Sequence, residues 1–300
     1  MNIAVLLTCH NRKEKTLSCL RTLFSARERY AKPISLNIYL TDDGCTDGTS
    51  DAVRSSFPNE EITILQGDGN LFWAGGMRMA WMEALKYHRQ WDYYLLLNDD
   101  TDMFPTLFDE IFSTEKYSIK NYGQEAIVSG ITCSKSDHNI MTYGGDVWTN
   151  KFLAKQKRLK PSQYPQMCDM TNANILLVPI SVVDTIGIFD NGFLHGVADY
   201  DYTTTAREHD IPVLVTSRFC GSCDKDHDTS AELRSKVCTM TYSQRKKYFS
   251  FPTHSSNDPL LFMKKHAPVR YPLVWIGRKM ELLCPQMYYF LLNLRKGGKK

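Results

Sequence analysis

The chain has 300 residues, 43% of them apolar and 23% charged, and its formal net charge is +3 at pH 7. This length and apolar fraction can bury one sizeable core and exclude a disordered chain. The net charge is too small for a general nucleic-acid-binding surface, so we expect no nucleic acid partner. Nine scattered cysteines, no secretory signal pattern and no apolar run of the roughly 18 residues that cross a bilayer predict a cytoplasmic protein.

Strand-length apolar segments alternate with helix-length segments in the first third of the chain. They predict strands at 2–8, 34–42, 61–67 and 92–98, with helices at 13–26, 47–57 and 75–88. Continuous Val, Ile and Leu strands separated by helices indicate an α/β fold whose mostly parallel sheet is covered on both faces. In such folds ligands bind at the carboxyl ends of the strands.

A polar cluster follows each of these four predicted strands. The clusters read TCHNR (8–12), DDGCTDGTS (42–50), GDGNLFWAGGM (67–77) and NDDTD (98–102). One polar turn after a strand means little, but four at the same edge of one sheet predict a binding site.

The fourth cluster holds Asp99, Asp100 and Asp102 within four residues. Carboxylates this close raise the cost of one another's ionisation, and a bound cation would remove that cost. In the second cluster, Asp42 and Asp43 exceed what a turn needs and are expected to accept hydrogen bonds from a base or a ribose.

Two glycines of the third cluster, Gly75 and Gly76, allow two interpretations. They begin a predicted helix, where the free N–H groups attract anionic groups. Glycine at this position equally permits close packing of the helix on the sheet.

These motifs, with the later GIFDNGFLHGVADYDYTTTAREHDIPV (187–213), resemble the family 2 glycosyltransferases, and among them the bacterial rhamnosyltransferase-like members. The resemblance implies a GT-A-type, Rossmann-like, mostly parallel sheet flanked by helices, with a C-terminal helical extension. The expected catalytic domain spans 1–225, with a nucleotide-binding half at 1–102 and an acceptor half at 103–225. A basic and aromatic helical extension spans 226–300.

The resemblance also implies the residues that bind a nucleotide-sugar donor. Asp100 takes the position that binds Mg²⁺ or Mn²⁺ and, through the metal, the diphosphate. Asn98 stands where the family has its first carboxylate. The donor-binding residues are Thr8, Asn11, Asp42, Asp43, Gly75, Gly76, Asn98 and Asp99.

Asp199 is the expected general base, which takes the proton of the acceptor hydroxyl during transfer with inversion. The family's Glu-Asp pair reads Ala198-Asp199 here. The alternative is that Asp199, like Asp201, is an acid favoured at a helix N-terminus. Support of the site or contact with the acceptor is expected from Asp102, His195, Asp201 and Arg207.

His227 is a second expected ligand of the metal, by the resemblance. The segment CGSCDKDH (220–227) also allows a zinc site made of Cys220, Cys223, His227 and Cys238. A solvated loop histidine is the third interpretation.

The predicted function is hexosyl or rhamnosyl transfer from a UDP-, dTDP- or GDP-sugar to a glycan or lipid-linked acceptor in surface polysaccharide biosynthesis. The basic and aromatic C-terminal helices fit either packing on the catalytic domain or peripheral association with the inner face of the cell membrane. A non-catalytic nucleotide-sugar-binding protein or membrane scaffold stays open, because Asn98 and Ala198 stand at usually acidic positions.

Overall fold

The computed structural model of the chain describes residues 1–225, 230–255 and 257–297. These residues form two compact units. The first comprises Met1–Thr149 and Gln156–Lys225, and the second comprises Asn150–Lys155 and the described residues after Lys225. Within the described ranges, no helix has the length and the apolar character to cross a bilayer.

Thirteen strands form two sheets in the described part of the chain. They are β1 (Asn2–Cys9), β2 (Ser35–Asp42), β3 (Ile62–Gln66), β4 (Tyr93–Leu97), β5 (Asp102–Met103), β6 (Ile127–Cys133), β7 (Met141–Tyr143), β8 (Gly145–Asn150), β9 (Lys155–Arg158), β10 (Gln166–Met167), β11 (Met170–Thr171), β12 (Ile175–Pro179) and β13 (Val213–Ser222).

The helices lie between these strands and, after β13, fill the second unit. They are α1 (Lys13–Arg29), α2 (Thr49–Ser56), α3 (Phe72–Leu85), α4 (Leu107–Tyr122), α5 (Ile180–Ile186), α6 (Ala198–Glu208), α7 (Ser230–Thr239), α8 (Tyr242–Ser250), α9 (Asn257–His266), α10 (Tyr271–Leu283) and α11 (Pro285–Gly297).

The main sheet has the strand order β10-β13-β6-β12-β4-β1-β2-β3, and β1 runs parallel to both of its neighbours. The four predicted strands and the three predicted helices of the first third are confirmed. The sheet is mostly parallel, but β12 runs antiparallel between β4 and β6. All five residues of β12 are buried, as expected for a strand in the middle of a sheet. A separate three-stranded sheet has the order β11-β8-β9.

Helix α3 lies close to β1 at Gly76, which is one of its buried residues. A Cβ atom at Gly76 would lie 2.1 Å from Oγ1 of Thr8 on β1, so only glycine permits this approach. The helix begins at Phe72, three residues before the predicted start at Gly75. The earlier start follows from Asp43, whose carboxylate accepts the N–H of Phe72 at 3.0 Å.

Within the second unit, Arg245 on α8 is 7% exposed. Its guanidinium donates to the carbonyl of Leu282 at 2.7 Å, near the end of α10, and to the carbonyl of Met240. These bonds satisfy carbonyl groups at the ends of two neighbouring helices.

Candidate active site

The polar clusters that follow β1, β2 and β3 are joined by backbone hydrogen bonds at one edge of the sheet. The N–H of Asp43 donates to the carbonyl of Cys9 at 2.9 Å, and the N–H of Gly67 donates to the carbonyl of Asp42 at 2.7 Å. The ring of His10 donates from Nδ1 to the carbonyl of Asp43 at 2.6 Å. The structure therefore brings these three clusters together.

Asp43 organises the loop that leads into α3. One carboxylate oxygen accepts the N–H groups of Gly69 at 2.9 Å and Leu71 at 3.3 Å, and the other accepts the N–H of Phe72. The residue is 4% exposed. Its carboxylate therefore acts as the cap that shapes the third cluster.

Asp42 and Asn11 hold the loop after β2 in a similar way. Asp42 accepts the N–H of Cys45 at 2.7 Å and the hydroxyl of Ser50. Asn11 has a φ of 52°, and its side-chain oxygen accepts the N–H of Thr46 at 2.7 Å. These residues give the edge of the sheet a fixed shape.

The acids after β4 are neutralised by cations of the chain itself. Arg12 Nη1 lies 2.8 Å from Asp100 and 3.5 Å from Asp99. Burial raises the pKa of Asp99 to about 7, against the opposing effect of Arg12. Asp102 pairs with Lys135 at 2.7 Å, so it belongs to a different ion pair.

Asp100 is the acid best placed for a hard cation. Its oxygens accept from Arg12 and from the thiol of Cys223, the latter at 3.4 Å. Mg²⁺ commonly binds one or two carboxylates, water and substrate phosphates, so a single carboxylate is sufficient when a donor diphosphate supplies the other oxygens. Asp100 therefore fits Mg²⁺ or Mn²⁺, and Asn98 is a neutral neighbour whose side-chain oxygen accepts from Trp73 at 2.8 Å.

In the described part of the chain, the group of candidate metal ligands is Cys9, Asp42 and Cys45. The two sulfur atoms lie 3.7 Å apart. Burial raises the pKa of both thiols, and both oxygens of Asp42 already accept hydrogen bonds. The thiols therefore contact each other, and the carboxylate is satisfied by Cys45 N–H and Ser50, without an ion.

The zinc interpretation of Cys220 and Cys223 gains no support within the described residues. Cys220 is in the core and its thiol donates to Thr216 Oγ1 at 3.4 Å, whereas the thiol of Cys223 donates to Asp100. Burial raises the pKa of each thiol to about 12, which disfavours the thiolate that zinc needs. His227 lies outside the described residues, so its assignment stays a prediction.

Asp199 lies at the start of α6. The carboxylate oxygens of Asp199 accept the N–H of Ala173 at 3.0 Å and the N–H of Tyr200 at 2.9 Å. Burial raises the pKa of Asp199 to about 6, and the backbone donors oppose that rise. A carboxylate in this state can take a proton near neutral pH.

A two-residue segment connects Asp199 to the acids after β4. Ala173 donates its N–H to Asp199, and the next residue, Asn174, accepts the N–H of Asn98 at 3.2 Å. The side chain of Asn174 also donates to Cys223 at 3.5 Å, and Cys223 donates to Asp100. The expected base and the expected metal ligand are therefore parts of one hydrogen-bonded arrangement.

The segment before α6 is attached to α3. Arg78 donates to the carbonyls of Asp190 at 3.0 Å and Phe193 at 2.7 Å, and the N–H of Ala74 donates to Leu194 at 3.2 Å. The ring of His195 meets the ring of Phe72 edge to face, with 6.3 Å between centroids. His195 thus lies beside the start of α3.

The other two support candidates on α6 have structural contacts. Asp201 is 3% exposed, and its N–H donates to the carbonyl of Val197 at 2.8 Å. Arg207 donates to the carbonyl of Ile211 at 3.1 Å, just before β13. Arg207 therefore holds the start of a strand.

An ion pair that the sequence did not reveal lies next to Asp199. Arg158 donates from Nε and Nη2 to both oxygens of the buried Asp146, at 2.9 and 2.8 Å. The hydroxyl of Tyr200 donates to Asp146 at 2.9 Å. The positive charge of Arg158 lowers the pKa of Asp199. Both charged residues come from the weakly patterned region between 130 and 175, where no motif singled them out.

Comparisons with known proteins identify the fold. No family model matches the sequence, and no curated protein matches it. The mannosyltransferase PcManGT from Pyrobaculum calidifontis, in complex with GDP-Man and Mn²⁺, aligns with a TM-score of 0.53 and 13% identity over 95% of this chain and 71% of that chain. Residues 1–349 of TarS from S. aureus align with a TM-score of 0.55 and 12% identity over 99% of this chain and 92% of that chain. The chain therefore has a glycosyltransferase fold of the GT-A type, as the sequence predicted.

Proposed function

We propose that the protein is an inverting glycosyltransferase, which moves a sugar from a nucleotide-diphosphate sugar to a hydroxyl group of an acceptor. The observation that carries the proposal is the hydrogen-bonded link between Asp199 and Asp100 through Ala173, Asn174 and Cys223. Inverting transfer needs a base on the acceptor side and charge neutralisation on the leaving-group side. This arrangement offers both within one site.

Asp199 acts as the base in this proposal. Its pKa of about 6 leaves it ionised at neutral pH, yet basic enough to accept a proton from the attacking hydroxyl. Arg158 favours the ionised form, and Ala173 fixes the carboxylate by its N–H group. One base opposite one leaving group requires no covalent intermediate.

The donor diphosphate is proposed to lie at Asp100 and Arg12. A bound Mg²⁺ or Mn²⁺ would neutralise the charge that develops on the departing nucleotide diphosphate. Arg12 would add a fixed cation, since its guanidinium already contacts Asp100 at 2.8 Å. The Mn²⁺ in the PcManGT complex supports a divalent metal in this fold.

The nucleoside is proposed to bind at the edge formed by the first three polar clusters. The proposed donor-binding residues are Thr8, Asn11, Asp42, Asp43, Gly75, Gly76, Asn98 and Asp99. Because Asp42 and Asp43 already hold loops, they act by shaping the pocket as well as by their remaining lone pairs. The GDP-Man in PcManGT supports a nucleotide-sugar donor.

The finer assignments follow the sequence resemblance. We propose hexosyl or rhamnosyl transfer to a glycan or lipid-linked acceptor, in surface polysaccharide biosynthesis, by a cytoplasmic enzyme at the inner face of the cell membrane. Asp102, His195, Asp201 and Arg207 remain candidates for acceptor contact or support.

Thermal unfolding with UDP-, dTDP- and GDP-sugars, each with and without Mn²⁺ or Mg²⁺, tests donor binding. A ligand at 100 times its dissociation constant adds about 2.7 kcal/mol to the free energy of unfolding. We expect one nucleotide class to raise the melting temperature only with metal. The proposal fails if no nucleotide-sugar raises it under any metal condition.

A non-catalytic nucleotide-sugar-binding or scaffold role is the second candidate function. It is favoured by Asn98 and Ala198, which stand where the family has acids. Release of free nucleotide diphosphate in the presence of acceptor distinguishes the two, because a binder would be stabilised by the donor without releasing product.

A further inference from the structure

The exposed large apolar side chains of the described residues are concentrated in one part of the second unit. Eight of the 19 lie between residues 269 and 291. They are Val269, Leu273, Trp275, Ile276, Leu283, Met287, Phe290 and Leu291. Scattered single residues of this kind are normal on a protein surface, but a cluster indicates an interaction site.

Helix α10 presents three of these side chains, together with one lysine, as one stripe. Leu273, Ile276, Lys279 and Leu283 follow one another at intervals of three or four residues, which places them on the same face of a helix. All four are exposed. A helix on a water-facing surface normally turns its polar side outward, so α10 has the opposite orientation.

Glu281 and Arg278 of α10 form polar contacts within the second unit. Glu281 is 2% exposed, and its carboxylate accepts from Arg278 at 2.7 Å and from the hydroxyl of Tyr289 on α11 at 2.6 Å. Arg245 binds the carbonyl of Leu282 at the end of the helix. The second unit therefore fixes α10 with its apolar stripe outward.

The sequence around this stripe is strongly basic. Residues 264–300 contain nine Lys or Arg residues and one acid, Glu281. The other 263 residues contain 27 basic and 32 acidic residues, so the positive charge is confined to the C-terminal segment. Glu281 is buried and pairs with Arg278, so it offsets only one of the nine basic residues.

We propose that α10 and α11 form a docking surface for an anionic lipid bilayer. The exposed side chains of Leu273, Ile276 and Leu283 would enter the headgroup region, and the basic residues would attract anionic headgroups. Lys279 Nζ lies 5.5 Å from the ring centroid of Trp275, a pair suited to the boundary between water and lipid.

A bilayer fits this surface better than a second copy of the chain. Self-association through the same face would bring two segments with this basic excess together, and their charges would repel. An anionic bilayer instead removes apolar area from water and neutralises the charge at the same time.

The inference deepens the proposed location of the enzyme but is independent of its chemistry. Co-sedimentation of the full-length protein with vesicles needs neither donor nor acceptor, so its outcome stands whether or not glycosyl transfer is found. Vesicles of phosphatidylcholine alone are compared with vesicles of phosphatidylcholine and phosphatidylglycerol, at low and at high salt.

We expect binding to the anionic vesicles only, with weaker binding at high salt. Ile276→Asp should lower the affinity by about tenfold or more, because it removes an apolar contact and adds repulsion. Ile119→Asp is the matched control, since Ile119 on α4 is 49% exposed and Ile276 is 47% exposed. The control should bind as the unsubstituted protein does.

Three results would overturn the proposal. They are equal binding to neutral and anionic vesicles, no binding to either, and equal loss of binding in the two Asp variants. Ultracentrifugation tests a fourth: a dimer that Ile276→Asp dissociates, without change in vesicle binding, would also overturn the proposal and assign the surface to a second copy. Circular dichroism of each variant verifies that it is folded.

Discussion

The environment of Asp199 combines two opposing effects on one carboxylate. Burial favours its protonated form, whereas the N–H groups of Ala173 and Tyr200 and the charge of Arg158 favour the ionised form. The pKa of about 6 is the balance of these effects. A general base near this pKa is ionised at neutral pH and still has driving force for proton transfer.

Asp199→Asn should leave donor binding intact and lower the rate of transfer by roughly 10²- to 10⁴-fold, the range for a lost general base. Asparagine keeps the size and one acceptor oxygen for the N–H of Ala173, but it cannot take the proton. Donor affinity, measured by calorimetry, should therefore be unchanged, while turnover, measured by product release, should fall. If Asp201→Asn is the damaging change instead, the base is assigned to the wrong acid.

The pH profile gives an independent check on Asp199. Activity of the unsubstituted enzyme should rise as the pH increases through about 6, because the base becomes ionised. Stability should change in the opposite direction. The folded state binds the Asp199 proton more tightly than the unfolded state does. The contribution of Asp199 to the free energy of unfolding therefore falls as the pH rises from about 4 to about 6. Asp199→Asn should remove both dependences.

Arg158→Gln should move the acid limb of the activity profile to higher pH. The substitution removes the positive charge that lowers the pKa of Asp199 and leaves the Asp146 carboxylate without its ion pair. Tyr200→Phe is the control, because it removes only a neutral hydroxyl from Asp146. An unchanged profile in Arg158→Gln, measured on folded protein, would mean that Arg158 does not act on the base.

Asp100→Asn should abolish metal-dependent donor binding while the fold persists. The amide keeps the shape of the side chain but supplies no negative charge for a divalent cation. Calorimetric titration of the donor with and without Mn²⁺ measures the effect. Asp102→Asn is the comparison: Asp102 pairs with Lys135, so its loss should leave the metal dependence unchanged.

At the scale of elements, α3 fixes the relative positions of the two halves of the site. Gly76 brings it against Thr8, Asp43 caps its start, and Arg78 holds the segment that leads to α6. The helix therefore contacts both the proposed nucleotide edge and the approach to the base. A small shift of α3 would therefore displace both the proposed nucleotide edge and the segment that leads to the base.

Gly76→Ala should lower the free energy of unfolding by about 1–3 kcal/mol, the usual cost of overpacking. The new methyl group would lie 2.1 Å from Thr8 Oγ1, so α3 must move away from β1. Gly75→Ala is the matched control, because its methyl group would lie 3.3 Å from the Cβ atom of Leu71. Urea unfolding measures both, and equal stability of the two variants would contradict the packing argument.

Local periodicity and the residues at strand ends are sufficient to predict the first third of the fold. The strands and helices before Leu97 were predictable because each is a continuous apolar or amphipathic segment. The antiparallel β12 and the Asp146–Arg158 pair were not, since they depend on segments joined through long-range packing. The contact between Arg12 and Asp100 is not predictable either, because a sequence motif does not specify which side chains meet across 88 positions.

At the scale of the whole molecule, the main sheet is completed late in the sequence. Strands β4 and β6 are separated by β12, so Leu96 and Ser129 both pair with Leu176. The centre of the sheet therefore depends on β12, which begins at Ile175, 78 positions after β4 ends at Leu97. Such long-range pairing slows folding.

This strand order has a consequence for biosynthesis. While the ribosome is still making residues before Ile175, β4 has an unpaired apolar edge, which is a template for aggregation. A fragment of residues 1–170 should aggregate on refolding, whereas the full-length chain should give a monodisperse solution by light scattering. Vectorial synthesis would then require that the nascent chain be shielded, by a chaperone or by the ribosome surface, until β12 has emerged.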